Sequence, residues 1–180
     1  MLDFYNDTRR TFRAAHIVPN AAHKALARLE QKYDGEVTVV TQNIDPLHEQ
    51  AGSKRVLHMH GRDGEIRCMR CGTVTESDID LSPDSVCPHC KTVGELRPNI
   101  VWFGEMPMHM DEIEAALERC GLFLSIGTSG EVYPAAGFVL QVLIVSSRSP
   151  GRARHRAARS SWRDRRCADG TAPGCRSARG

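Results

Sequence analysis

The sequence predicts an α/β fold, a parallel sheet that carries a small inserted module. Three observations predict it. Two short apolar runs, VTVV (37–40) and LFLSIG (122–127), each pass directly into a polar loop, TQNIDPLH and GTSGEVYP. A buried strand that delivers a polar loop at its carboxyl end is the ligand-binding pattern of open α/β sheets. Between the two runs lie two Cys-x-x-Cys pairs, Cys68/Cys71 and Cys87/Cys90, with 15 residues between them, and these mark an insertion.

Each element follows from its local pattern. Asn20 suits a helix N-cap, Leu26, Leu29 and Tyr33 recur at helical spacing, and Gly35 stops the helix. The β-branched VTVV run reads as a buried strand, and RVLHMHG and EIRCMRC read as further strand-and-turn pieces. VWFGE (101–105) is a compact apolar and aromatic patch closed by glycine. Asp111–Cys120 predicts a helix, with Asp111, Glu112 and Glu114 at the positive end of its dipole and Arg119 near the negative end. Gly121 terminates it, and LFLSIG is the clearest buried strand.

A chain of 180 residues with 41% apolar content suits one domain, or one domain with an appendage. It has no run of 18 apolar residues, and MLDFYNDTRR has no basic-then-apolar signal pattern, so no membrane association and a cytoplasmic location are expected. There the seven cysteines are metal ligands or free thiols rather than disulfides. The net charge of +2 divides unevenly: residues 1–139 carry 14 Lys+Arg against 20 Asp+Glu (−6), and residues 140–180 carry 10 Arg against 2 Asp (+8). The expected organisation is therefore a core over 1–139 and an Arg-rich tail over 140–180, either disordered or the product of a shifted reading frame. Nucleic-acid binding would rest on that tail alone, which offers one aromatic, Trp162, and is not the expected function.

Two knuckles at this spacing turn four thiolates towards one point, the closed tetrahedral sulfur set of a structural Zn²⁺. Four unrelated thiols are the alternative, and His89, inside the second knuckle, could replace a cysteine. With the metal saturated by Cys68, Cys71, Cys87 and Cys90, the histidines His58 and His60 are left over. Only Met59 separates them, so in a strand they share a side. Either could be a packed histidine, or an acid or base near neutral pH.

TQNIDPLH, HMHG, the paired Cys-x-x-Cys motifs, RPNIVWFGE and GTSGEVYPAAG occur here in an order and spacing that resembles the sirtuins, NAD-dependent protein-lysine deacylases, and most of all their bacterial branch with desuccinylases. The resemblance covers roughly 2–139. It implies a partial Rossmann-like parallel sheet with a zinc-binding module inserted at about 61–97, incomplete at both ends. It implies transfer of an acyl group from lysine to ADP-ribose with release of nicotinamide. His60, directly before Gly61, is then the general base. Gln42, Asn43, Ile44 and Asp45 surround the nicotinamide ribose of NAD, and Gly127, Thr128 and Ser129 contact its adenosine half. Val101, Trp102 and Phe103 hold the acyl-lysine of a protein or peptide substrate; simple core packing is the other reading of these three. One structural Zn²⁺ and a monomeric chain are expected.

The match departs at three places. Desuccinylase-type sirtuins pair a tyrosine with an arginine three residues on to grip an acidic acyl group; Tyr5 fits, but Thr8 stands at the second position, leaving Arg9 as the candidate and acetyl-lysine as the alternative substrate. No GAGxS phosphate loop precedes Leu2, and after YPAAGFV the chain turns into the Arg-rich tail. The expectation is impaired catalysis, with a non-catalytic zinc-stapled binding module as the alternative.

Overall fold

The structure, a computed structural model, describes residues 2–13, 17–128, 131–142 and 158–159. It divides into two units, Met1–Ala116 and Leu117–Gly180.

The first unit opens with α1 (Leu2–Arg13), whose first turn carries Asp3. Asn6 and Arg9 are buried on its inward face, where both bond to backbone groups of the 77–81 segment. The Asn6 amide donates to the Leu81 carbonyl at 2.9 Å and accepts from the Leu81 N–H at 3.0 Å, as a neighbouring strand would. Helix α2 (Ala21–Lys32) begins where expected. Asn20 accepts from the amides of Ala22 and His23, and His23 closes a capping box. The helix ends at Lys32, with Tyr33 already extended, two residues before Gly35.

Strands β1 (Val39–Thr41) and β2 (Val56–His58) form a parallel pair, Val39 opposite Val56 and Thr41 opposite His58. The crossover between them holds the TQNIDPLH loop and the single-turn helix α3 (Leu47–Gln50). A three-stranded antiparallel sheet follows, ordered β4-β3-β5, from β3 (Gly61–Cys68), β4 (Val74–Glu76) and β5 (Leu96–Ile100). Its small core is Ile66, Cys68, Leu81, Cys87 and Leu96, with Leu2 of α1 packed against it. All five residues of β5 are buried although Arg97 and Asn99 are polar. The strand tolerates Pro98 because it lies at the sheet edge, where a missing N–H breaks no ladder. The unit boundary falls in the last turn of α4 (Met110–Arg119), which begins one residue before the expected Asp111.

In the second unit β6 (Leu124–Ser125), the middle of the LFLSIG run, pairs in parallel with β7 (Ala158–Arg159), but Leu122, Leu124 and Ile126 are exposed, so the run is not the buried strand expected. A 3-10 turn, Ala135–Gly137, leads into the helical residues 138–142. Parallel pairing thus occurs at both strands where an α/β fold was expected. Apart from Ala158 and Arg159, the Arg-rich segment from 143 onwards lies outside the described residues, as does its expected disorder. No described helix is long and apolar enough to cross a membrane.

Candidate active site and metal centre

The loop after β1 is held by its own carbonyls. Strand β2 stops at His58, and Met59 and His60 form the turn into β3. Both imidazoles nevertheless reach the same loop. His60 Nδ1 lies 2.9 Å from the Gln42 carbonyl and His58 Nδ1 lies 3.1 Å from the Asn43 carbonyl. The Asp63 N–H takes the next carbonyl, that of Ile44, at 2.7 Å. Three successive carbonyls therefore face one stretch of chain, which fixes Gln42, Asn43, Ile44 and Asp45 without a regular ladder. Thr41 Oγ1 accepts from the Asn43 N–H at 3.1 Å, and Asp45 caps α3 by accepting from the Leu47 N–H at 3.1 Å.

A carbonyl can only accept, so His60 Nδ1 carries the proton in that bond. In the neutral form of the ring Nε2 is bare, and that nitrogen has no hydrogen-bond partner among the described residues. This is the arrangement a general base needs: one nitrogen anchored, the other open. Gly61 is required next to it. It sits at φ 84°, and its α-carbon lies so close to β5 that a Cβ would overlap the Asn99 carbonyl. That approach lets the His60 carbonyl accept from the Val101 N–H at 2.9 Å, tying the VWF segment to the histidine.

Val101 and Trp102 are half-buried and Phe103 is fully exposed. The Trp102 ring is sandwiched: the Tyr5 ring stacks on it at 6.4 Å with planes 15° apart, and the Arg97 guanidinium carbon lies 3.5 Å from its centroid. Arg97 is itself fixed by Glu105 at 2.6 and 3.0 Å and by the Ile100 carbonyl at 2.7 Å. The Arg97 guanidinium, and then the Trp102 amide, hold the Glu105 carboxyl down at about 2. Arg9 lies elsewhere. It is 2% exposed, donates to the carbonyls of Ser77 and Ile79, and has its Nε 3.7 Å from Asp63. The Thr8 hydroxyl donates to the Phe4 carbonyl of its own helix at 2.9 Å.

The four cysteines gather as the spacing indicated. All four Sγ atoms lie within 4.8 Å of one another, with Cys68–Cys90 at 3.6 Å and Cys71–Cys87 at 3.9 Å. Zn–S bonds of about 2.3 Å in a tetrahedron set the sulfurs about 3.8 Å apart, so the cluster fits Zn²⁺. The two knuckles are copies of one another, Cys-x-x-Cys-Gly-Thr-Val and Cys-x-x-Cys-Lys-Thr-Val. In each, the fifth residue is left-handed (Gly72 φ 72°, Lys91 φ 61°) and returns its N–H to the first cysteine. The Thr92 hydroxyl, 3.4 Å from Cys90 Sγ, leads the causes that hold that thiol down at about 6. The Cys71 amide favours the Cys68 thiolate, but burial and the Cys71 and Cys90 thiols push it up to about 11. Bound Zn²⁺ would favour the thiolate form of all four ligands. His89 is not part of the cluster.

In the second unit, the loop after β6 places Gly127 at φ 67° and leaves Gly127 and Thr128 exposed; Ser129 lies outside the described residues.

Comparison with known proteins decides the family. The profile of the Sir2 family matches residues 2–134. The chain belongs to the Sir2 family. An NAD-dependent protein deacylase of Bdellovibrio bacteriovorus is 54% identical to it over 136 residues, covering 76% of this chain and 58% of the relative. A solved Sir2 homolog–NAD complex superposes with TM-score 0.69 at 36% identity, over 79% of this chain and 56% of the other. A Sir2 protein bound to an acetylated peptide gives TM-score 0.63 at 37% identity, over 72% and 56%. The Sir2-family chain thus spans little more than half the length of these relatives.

Sequence reasoning did not find Glu49, Asp63, Arg97 or Glu105, which hold the residues of the candidate site in place. Each acts through a backbone or ring partner distant in sequence or on an irregular turn, and no spacing signals it.

Proposed function

We propose that this chain carries out the chemistry of an NAD-dependent protein-lysine deacylase, transferring a short acyl group from lysine to ADP-ribose. The observation that carries the reading is His60, with Nδ1 anchored on the Gln42 carbonyl and Nε2 open at the mouth of the β1 loop. Bound NAD would supply the activated ribose that accepts the acyl group, with nicotinamide as its leaving group. His60 Nε2 takes the proton from a ribose hydroxyl, with its ring held so that no rotation precedes the transfer. Gln42, Asn43, Ile44 and Asp45 line the nicotinamide ribose. Val101 offers its edge to the substrate backbone, while the Tyr5–Trp102 stack walls the lysine.

The acyl group is neutral and short, such as acetyl. Arg9 is spent on two carbonyls and Asp63, and Thr8 on its own helix, so neither brings a cation to an acidic acyl group beside Tyr5. Four clustered thiols suit the reducing cytoplasm, and the substrates are acylated proteins or peptides met by a monomer.

The test is nicotinamide release from zinc-loaded protein given NAD and an acetyl- or succinyl-lysine peptide. The expected result is slow release with the acetyl peptide, in keeping with impaired catalysis, that falls about 100-fold or more in His60→Ala. Folded, zinc-bound protein that releases no nicotinamide makes the chain a non-catalytic zinc-stapled binding module instead.

A further inference from the structure

His58 is no part of the proton transfer proposed for His60, yet it is the more deeply buried of the two histidines, 6% exposed. Its ring nitrogens face two acceptors. Nδ1 lies 3.1 Å from the Asn43 carbonyl, and Nε2 lies 2.7 Å from Glu49 Oε1. A carbonyl oxygen and a carboxylate oxygen both lack protons to give, so both ring nitrogens must donate. The Arg62 guanidinium lies on the same carboxylate, with Nε 3.9 Å from the same Glu49 oxygen. The other groups on the elements around His58 do not compete for the role. His48, the neighbour of Glu49 on α3, is held below its ordinary value by burial and then by His23, with Asp45 and Glu49 opposing, and so stays neutral. On β1 the residue opposite is the uncharged Thr41.

We infer that His58 donates from both ring nitrogens, as an imidazolium paired with Glu49 and bracing the Asn43 carbonyl, while His60 beside it donates from Nδ1 alone. His58 is thus a positioning residue. It pins the peptide next to the one that orients His60. An imidazolium–carboxylate pair in a half-buried setting holds more firmly than a neutral hydrogen bond. The loop therefore keeps its shape although it has no ladder.

The experiment is a ring-nitrogen NMR spectrum of the ¹⁵N-labelled, zinc-loaded full chain near neutral pH, with histidines assigned through backbone-to-ring correlations. Expected are two protonated nitrogens for His58, and one protonated and one bare nitrogen for His60. A bare nitrogen on His58 overturns the inference. Glu49→Gln supplies the second arm: an amide can donate to Nε2, so His58 is expected to become neutral in that variant. If His58 keeps both protons there, Glu49 is not its counter-charge and the inference fails. The inference deepens the deacylase reading, on which only its kinetic consequence rests, a roughly tenfold lower kcat for nicotinamide release in Glu49→Gln at unchanged peptide KM. A wild-type chain that releases no nicotinamide defeats that reading, while the spectrum still decides the protonation states.

Discussion

Replacing Gly61 by alanine tests how tightly the site is built into the backbone. Two glycines of β3 have similar positive φ angles, Gly61 at 84° and Gly64 at 92°, but different surroundings. A Cβ on Gly64 meets nothing within 4 Å, so Gly64→Ala isolates the conformational penalty, about 1–2 kcal/mol. A Cβ on Gly61 overlaps the Asn99 carbonyl oxygen and comes to 2.8 Å from the Ile100 α-carbon. Both contacts are backbone, so β5 itself must move away. That breaks the Val101-to-His60 bond at 2.9 Å and loosens the neighbouring Met108-to-Met59 bond at 2.8 Å. At about 1 kcal/mol for each of the two bonds, plus the shared strain of about 1–2 kcal/mol, Gly61→Ala is destabilised by about 3–4 kcal/mol. For a chain of this size the melting temperature falls by about 10 °C, against roughly 3–6 °C for Gly64→Ala. Circular-dichroism melts of both zinc-loaded variants read the difference. Equal losses would refute the close approach of β3 and β5, and with it the reason a glycine follows His60.

Three further outcomes are expected. Lys91 stands at φ 61° where the twin knuckle has Gly72 at 72°, so Lys91→Gly should raise stability by about 0.5–1 kcal/mol while Gly72→Lys lowers it by a similar amount; denaturant midpoints of the two variants decide it. Because Arg97 holds the folded Glu105 carboxyl at about 2, below the ordinary value of about 4.3, its contribution is fully present above the ordinary value and is lost as pH falls towards 2. The carboxyl is 36% exposed, so screening reduces the contribution to about 1–2 kcal/mol, and the stability gap between wild type and Glu105→Gln should close over that pH interval rather than persist. Native mass spectrometry should find one Zn²⁺ per chain, and a chelator should remove the cooperative melt; Thr92→Val, which deprives Cys90 of its hydroxyl at 3.4 Å, should speed zinc loss to the chelator several-fold without unfolding the loaded protein.

The sequence by itself determined whatever depends on near neighbours. Asn20 as a cap, the acids opening α4 and the four-thiol set are encoded within a few residues, where propensity and spacing act directly. The order of motifs likewise identified the family, and His60 could be singled out because a glycine follows it.

The tertiary structure decided what depends on partners far along the chain. Strand β5 gave no alternating pattern, because Arg97 and Asn99 are buried against Glu105, Trp102 and Glu65, each found only once the chain has folded. Arg9, one turn of helix from Tyr5, seemed placed for an acyl carboxylate by spacing; which way it faces was set by carbonyls 68 and 70 residues away. The same holds for the histidines. Alternation placed His58 and His60 on one side, but only the carbonyls of Gln42 and Asn43 and the Glu49 carboxylate distinguish them, because the proton a ring nitrogen carries is fixed by the atom it faces.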